Sequence, residues 1–116
     1  SVTFVENYKE VLPILKKNII AVKCVNKSKL IEKDIFNQFF FENLISKFDL
    51  IFIDPPYKEK SLSKLLKGIL KKNILNKGGI IIIHRHKNEK DELPKEFHTI
   101  EEKTYGISRI IFGKPF

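Results

Sequence analysis

Apolar residues along this chain fall into short runs that alternate between strand-like and helical spacing. Val2-Thr3-Phe4-Val5 is β-rich and predicts a strand. Tyr8, Leu12, Leu15, Ile19 and Val22 then share one face of a helix, with Asn7 placed as its N-cap. Pro13 falls inside that helix, where an interior proline costs about 3 kcal/mol, so a kinked or irregular first turn is expected. Asn26-Lys27-Ser28 reads as a turn, and Lys29 to Lys33 as a second strand that ends at Asp34. Phe39-Phe40-Phe41 with Leu44-Ile45 is spaced for a short buried helix. Asp49-Leu50-Ile51-Phe52-Ile53 reads as a buried central strand. Leu62, Leu65, Leu66, Ile69 and Leu70 return to helical spacing, with Lys64, Lys67 and Lys71 facing away. Asn76-Lys77-Gly78-Gly79 is expected to stop that helix and turn into a strand over Ile80-Ile81-Ile82-Ile83. A polar loop over 87–96 precedes two strands, at about 98–104 and 107–113, joined at Gly106 as a hairpin.

Strands separated by helices predict an α/β fold with a mostly parallel sheet covered on both faces, closed by an antiparallel hairpin. In such sheets ligands bind beyond the carboxyl ends of the strands. Glu6, Asp34 and Asp54 each follow a predicted strand, so three acids are expected along one rim.

The 116 residues suit a single domain, and an apolar share of 42% can fill a core. No apolar run approaches the roughly 18 residues a membrane span needs, and none resembles a signal segment. A lone Cys24 rules out an internal disulfide and a cysteine-built metal site, which fits a reducing cytoplasm. The formal charge of +8 favours a polyanionic partner. That inference is weakened by composition. Only two of the 22 basic residues, Arg85 and Arg109, are arginines, and abundant Lys, Ile, Asn and Phe are what A/T-rich codons encode.

Asp54-Pro55-Pro56-Tyr57 carries the clearest chemistry. The exocyclic amine of a nucleobase is conjugated with its ring, so its lone pair is a poor nucleophile. Two acceptors aimed at its N–H groups oppose that conjugation. The Asp54 carboxylate is one, and the Pro55 carbonyl is the other, its direction fixed by the prolines. Tyr57 offers a ring on which an unpaired base can stack. Catalysis would rest on alignment and preorganised electrostatics, with no metal. The plainer alternative is a strand-ending Asp followed by a Pro-Pro turn. Glu6 could accept both hydroxyls of a ribose or serve as a first-turn acid. Asp34 could accept an adenine amino group, with Ile35 or Phe36 on the ring, or form an Asx turn. His84, Arg85 and His86 read as a solvated rim after their strand, with a phosphate contact by Arg85 as the lesser alternative.

These residues together resemble the RsmD-type methyltransferases, which methylate the N2 amine of one guanine in small-subunit (16S) ribosomal RNA. The resemblance is carried by Val2-Thr3-Phe4-Val5-Glu6, Lys16-Lys17-Asn18, Asp34, the run from Phe48 through Asp54-Pro55-Pro56-Tyr57, Lys77-Gly78-Gly79 with its four isoleucines, and Tyr105 to Phe112. It implies a Rossmann-like sheet and S-adenosylmethionine as methyl donor. Glu6 and Asn7 would meet the donor's ribose end, and Asp34 and Ile35 its adenine. Asp54, Pro55, Pro56 and Tyr57 would serve the target guanine. Two departures are expected to matter. The family often has Glu-His where this chain has His84-Arg85. The family's first strand and glycine-rich turn have no counterpart within residues 1–116, so a partial methyltransferase domain with weak or no donor binding is expected. Two rivals share parts of the pattern: a DNA adenine-N6 or cytosine-N4 methyltransferase, and a non-catalytic RNA-binding remnant.

Overall fold

The structure is a computed structural model that describes residues 1–37, 39–56 and 61–115. These form two compact units, Ser1–Glu42 and Asn43–Phe116.

In the first unit, strand β1 (Val2–Val5) pairs in parallel with β2 (Ser28–Ile31), Val5 opposite Ile31. Helix α1 (Leu12–Ala21) connects them, followed by a 3₁₀ turn at Val25–Lys27. The helix starts later than the sequence suggests, and Val11, not Asn7, precedes it. Pro13 is the reason. It stands in the first turn, where its missing N–H is one that no helix satisfies internally. Tyr8 therefore lies outside the helix, as does Val22 just past its other end, and both are exposed, while Leu12, Leu15 and Ile19 are half-buried. The expected helix around Phe39 to Ile45 is a single 3₁₀ turn, Phe40–Asn43. Phe40 and Phe41 meet edge to face at 5.1 Å, whereas Phe39 is exposed and Ile45 is 93% exposed.

The second unit holds a four-stranded sheet in the order β3-β4-β6-β5. Strand β3 (Phe48–Ile53) runs parallel to β4 (Leu75–His86), and helix α2 (Leu62–Lys72) connects them. The hairpin β5 (Phe97–Tyr105) and β6 (Ser108–Pro115) adds its second strand antiparallel to β4, leaving β5 at the edge. The two-residue loop turns at Gly106, whose φ of +58° suits glycine. Buried Leu62, Leu65, Leu66 and Ile69 on α2, with Ile81, Ile83 and Ile111 from the sheet, form the core. Lys64, Lys67 and Lys71 are exposed, as the helical pattern requires. Strand β3 is less buried than its apolar run suggests. Ile53 is inside, but Leu50 and Phe52 are 57% and 60% exposed. Among the described residues, no helix is long and apolar enough to cross a membrane.

Two boundaries differ from the sequence expectation. Asn73, at φ 55°, ends α2, and its N–H reaches the Leu70 carbonyl at 3.3 Å. Asn76-Lys77-Gly78-Gly79 instead lies within β4 as a bulge. The register passes from Phe48 opposite Leu75 to Leu50 opposite Ile80, so two steps on β3 face five on β4. Gly78 takes the positive φ, +82°. Asn76 Nδ2 ties the bulge to Asp49 Oδ1 at 2.9 Å.

Strand β4 also runs three residues past Ile83. Alternation then places Arg85 on the same face as Ile81 and Ile83, with 0% exposure. The solvated-rim reading of Arg85 is thereby corrected. Its Nε and Nη2 donate to the two Asp91 oxygens at 2.8 and 2.9 Å. Arg85 stands directly opposite Arg109 on β6. Two like charges at such a cross-strand position repel. Asp91 lies against both, 3.5 Å from Arg109 Nη2, while Arg109 also reaches Glu102 at 3.4 Å and the Glu89 carbonyl at 2.8 Å. Both arginines of the chain thus pin the 87–96 loop to the sheet.

Removing one member of such a buried pair leaves the other charge without compensation. Arg85→Ala should lower stability by about 3–5 kcal/mol, and the more exposed Arg109→Ala by less, read as urea midpoints at constant slope. Equal, small losses would show that Arg85 does not anchor the loop. A second test concerns Gly113, where an added Cβ would meet the Phe97 ring. Gly113→Ala should cost about 1–3 kcal/mol through overpacking, and much less in a Phe97→Leu background. Additive losses in that double-mutant cycle would remove Phe97 as the cause.

Candidate functional site

Each unit presents acids at the carboxyl ends of its parallel strands. In the first unit, parallel pairing places the ends of β1 and β2 on one rim. The Glu6 N–H extends the ladder to the Ile31 carbonyl at 3.1 Å. Its carboxylate folds back onto the following backbone, Oε2 accepting from Asn7 N at 3.0 Å and Tyr8 N at 3.3 Å. Asp34 Oδ1 accepts from Phe36 N at 2.9 Å, which is an Asx-type turn. In both residues one oxygen shapes the turn, and among the described residues the other accepts no hydrogen bond. Asn7 is exposed, and Ile35 and Phe36 are half-buried beside Asp34.

In the second unit, Asp54 follows β3 one step beyond the Ile53–Ile83 pair, and His84 occupies the matching step on β4. Period-two alternation sends both to the face opposite Arg85. His84 Nδ1 lies 2.9 Å from Asp54 Oδ1, and His84 Nε2 lies 3.0 Å from Ser108 Oγ. Ser108 pairs with His86 across the β4–β6 ladder, which makes it a diagonal neighbour of His84 on the same face. The Asp54 side chain is 53% exposed and His84 only 22%. His84 is therefore no solvated rim residue, contrary to the sequence expectation. His86 bonds locally, its Nδ1 accepting from Asn88 N at 3.1 Å.

Pro55 is buried and Pro56 exposed. The Pro56 carbonyl accepts from Arg85 Nη1 at 3.1 Å. Among the described residues the Pro55 carbonyl and Asp54 Oδ2 accept no hydrogen bond. Asp54 and Pro55 thus carry, one residue apart, one charged and one neutral acceptor. Tyr57 lies outside the described residues.

Sequence reasoning nominated Asp54, Pro55 and Pro56 but missed the groups bonded to them and to one another: His84, Ser108 and Arg85. Burial alternates from Ile81 through His86, but the sequence there, three isoleucines and then His-Arg-His, carries no such alternation. What the sequence offers is one of only two arginines near the acid-rich 89–92 segment, a cue that does not place Asp91.

Comparison with known proteins identifies the family and the fold. An uncharacterized methylase of Rickettsia prowazekii is 40% identical over 72 residues, covering 61% of this chain and 30% of that protein. Ribosomal RNA small subunit methyltransferase D of Haemophilus influenzae is 28% identical over 111 residues, covering 91% of this chain and 55% of that protein. The chain thus spans 30% and 55% of the lengths of these two relatives. The crystal structure of a putative methylase from Haemophilus influenzae superposes with a TM-score of 0.79 at 25% identity, over 100% of this chain and 73% of the other. The fold is accordingly the Rossmann-like α/β fold of S-adenosylmethionine-dependent methyltransferases. Residues 1–114 match the family described as Conserved hypothetical protein 95, and the chain belongs to that family, which is the RsmD type.

Proposed function

We propose that this chain is part of an S-adenosylmethionine-dependent methyltransferase that modifies the exocyclic N2 amine of a guanine in small-subunit ribosomal RNA. The observation that carries the proposal is the Asp54-Pro55-Pro56 turn at the end of β3, with one oxygen of the Asp54 carboxylate held by His84 at 2.9 Å. Asp54 Oδ2 accepts one N–H of the amine and the Pro55 carbonyl the other. Both bonds oppose conjugation of nitrogen with the ring and turn its lone pair outward. Pro56, tied through its carbonyl to Arg85, keeps the turn rigid. Tyr57 stacks on the flipped base.

Bound S-adenosylmethionine supplies an electrophilic methyl group on a sulfonium sulfur. Glu6 and Asn7 would receive its ribose, and Asp34 with Ile35 its adenine. Transfer would form the N–C bond at the amine nitrogen as the donor's S–C bond breaks, with the electron pair passing to sulfur. The nitrogen then sheds one proton to the Asp54 carboxylate, which releases it to water. Family membership, the small-subunit ribosomal RNA methyltransferase among the relatives, and the +8 charge support an RNA substrate.

In the full-length protein, Asp54→Ala should lower kcat by about 100- to 1,000-fold, the scale of removing one preorganised electrostatic contact, while donor affinity by calorimetry stays near wild type. Equal losses in both would place Asp54 in the donor pocket instead. The substrate is tested by methyl transfer to small-subunit particles and to duplex DNA, with the modified base identified by mass spectrometry. Methyl-adenine or methyl-cytosine on duplex DNA would overturn the guanine reading.

A further inference from the structure

We infer that His84 is the positioning residue of Asp54, and that Ser108 sets the tautomer in which it acts. The inference rests on the proposed function for its kinetic consequence, but its geometry stands on the structure alone.

An ionised carboxylate only accepts hydrogen bonds. His84 Nδ1, 2.9 Å from Asp54 Oδ1, must therefore carry a proton. In the neutral ring Nε2 is then bare, and the Ser108 hydroxyl, at 3.0 Å, donates to it. The three groups form a directed chain, Ser108 O–H to His84 Nε2 and His84 Nδ1–H to Asp54. Its end is fixed by the sheet, because His84 and Ser108 sit on paired strands β4 and β6. Asp54 lies beyond the last paired residue of β3 and is half exposed. Without His84 its carboxylate would turn freely between water and substrate. With Oδ1 held, Oδ2 has one direction in which to point.

The same tautomer argument excludes a relay. A ring nitrogen that already carries a proton cannot take another from Asp54, so the proton released on methyl transfer leaves from Oδ2 without passing through His84. Its role is orientation.

The test uses His84→Ala, His84→Asn, His84→Gln and Ser108→Ala in the full-length protein. Two readouts are taken: the ¹⁵N shifts of the His84 ring, and the kcat and KM of methyl transfer. The wild-type ring should show the Nδ1–H tautomer, and Ser108→Ala should convert it to a mixture. His84→Ala should lower kcat roughly 10- to 100-fold, the scale of a small misplacement of a reacting group, with KM for donor and RNA changed less than about twofold. Asparagine places an amide N–H where Nδ1 lies and should restore most of the rate, whereas glutamine places its amide where Nε2 lies and should not. An Nε2–H tautomer in the wild type overturns the inference whatever the activity. So does an unchanged kcat in His84→Ala when Asp54→Ala is impaired, an outcome that leaves the proposed function standing. If wild type transfers no methyl group to guanine while the ring shows Nδ1–H, the proposed function fails and the geometric assignment holds.

Discussion

Arg85 is a full charge with no exposed surface, and its neighbours are organised around making that tolerable. A buried guanidinium must have its donors met in the plane of its fork. Asp91 meets two nitrogens and the Pro56 carbonyl meets the third. The first contact fixes a loop that would otherwise be a solvated connection. The second fixes the turn after β3. One side chain therefore joins the core, the 87–96 loop and the Asp54-Pro55-Pro56 segment. Because strand residues alternate, burying Arg85 also commits His84 to the other face, beside Asp54.

Most of the element order was legible in the sequence, because apolar spacing alone distinguishes Val2–Val5, Leu62–Lys72 and the closing hairpin. Boundaries were less legible, for identifiable reasons. Pro13 looked like a defect in a long helix, yet it marks the first turn of a shorter one. Gly78-Gly79 looked like a helix stop, yet Asn73 had already taken the left-handed conformation and the glycines supply a bulge. Phe39 and Ile45 carried apolar character without burial, since a single 3₁₀ turn is too short to present a continuous face.

The site divides in the same way. Asp54, Pro55 and Pro56 could be singled out as candidates because the chemistry expected of them is local to four consecutive residues. Glu6 and Asp34 were legible as strand-end acids, and each shapes its own turn through a carboxylate oxygen. His84 and Ser108 were not legible, since 24 positions separate them and only the β4–β6 register brings them together. Arg85 was misread because a basic residue after an isoleucine run resembles a strand end. Only knowledge of where Asp91 lies reveals that the strand continues.

Lysine outnumbers arginine heavily in this chain, and where only charge matters either would serve. At position 85 they differ. A lysine ammonium is a compact point charge, whereas the fork grips both Asp91 oxygens and still extends a separate nitrogen to Pro56. On the outer face of α2 lysines suffice, but at position 85 an exchange of arginine for lysine would conserve formal charge while unfastening the turn that carries Asp54. A substitution conservative in charge is therefore not conservative in geometry at this single position.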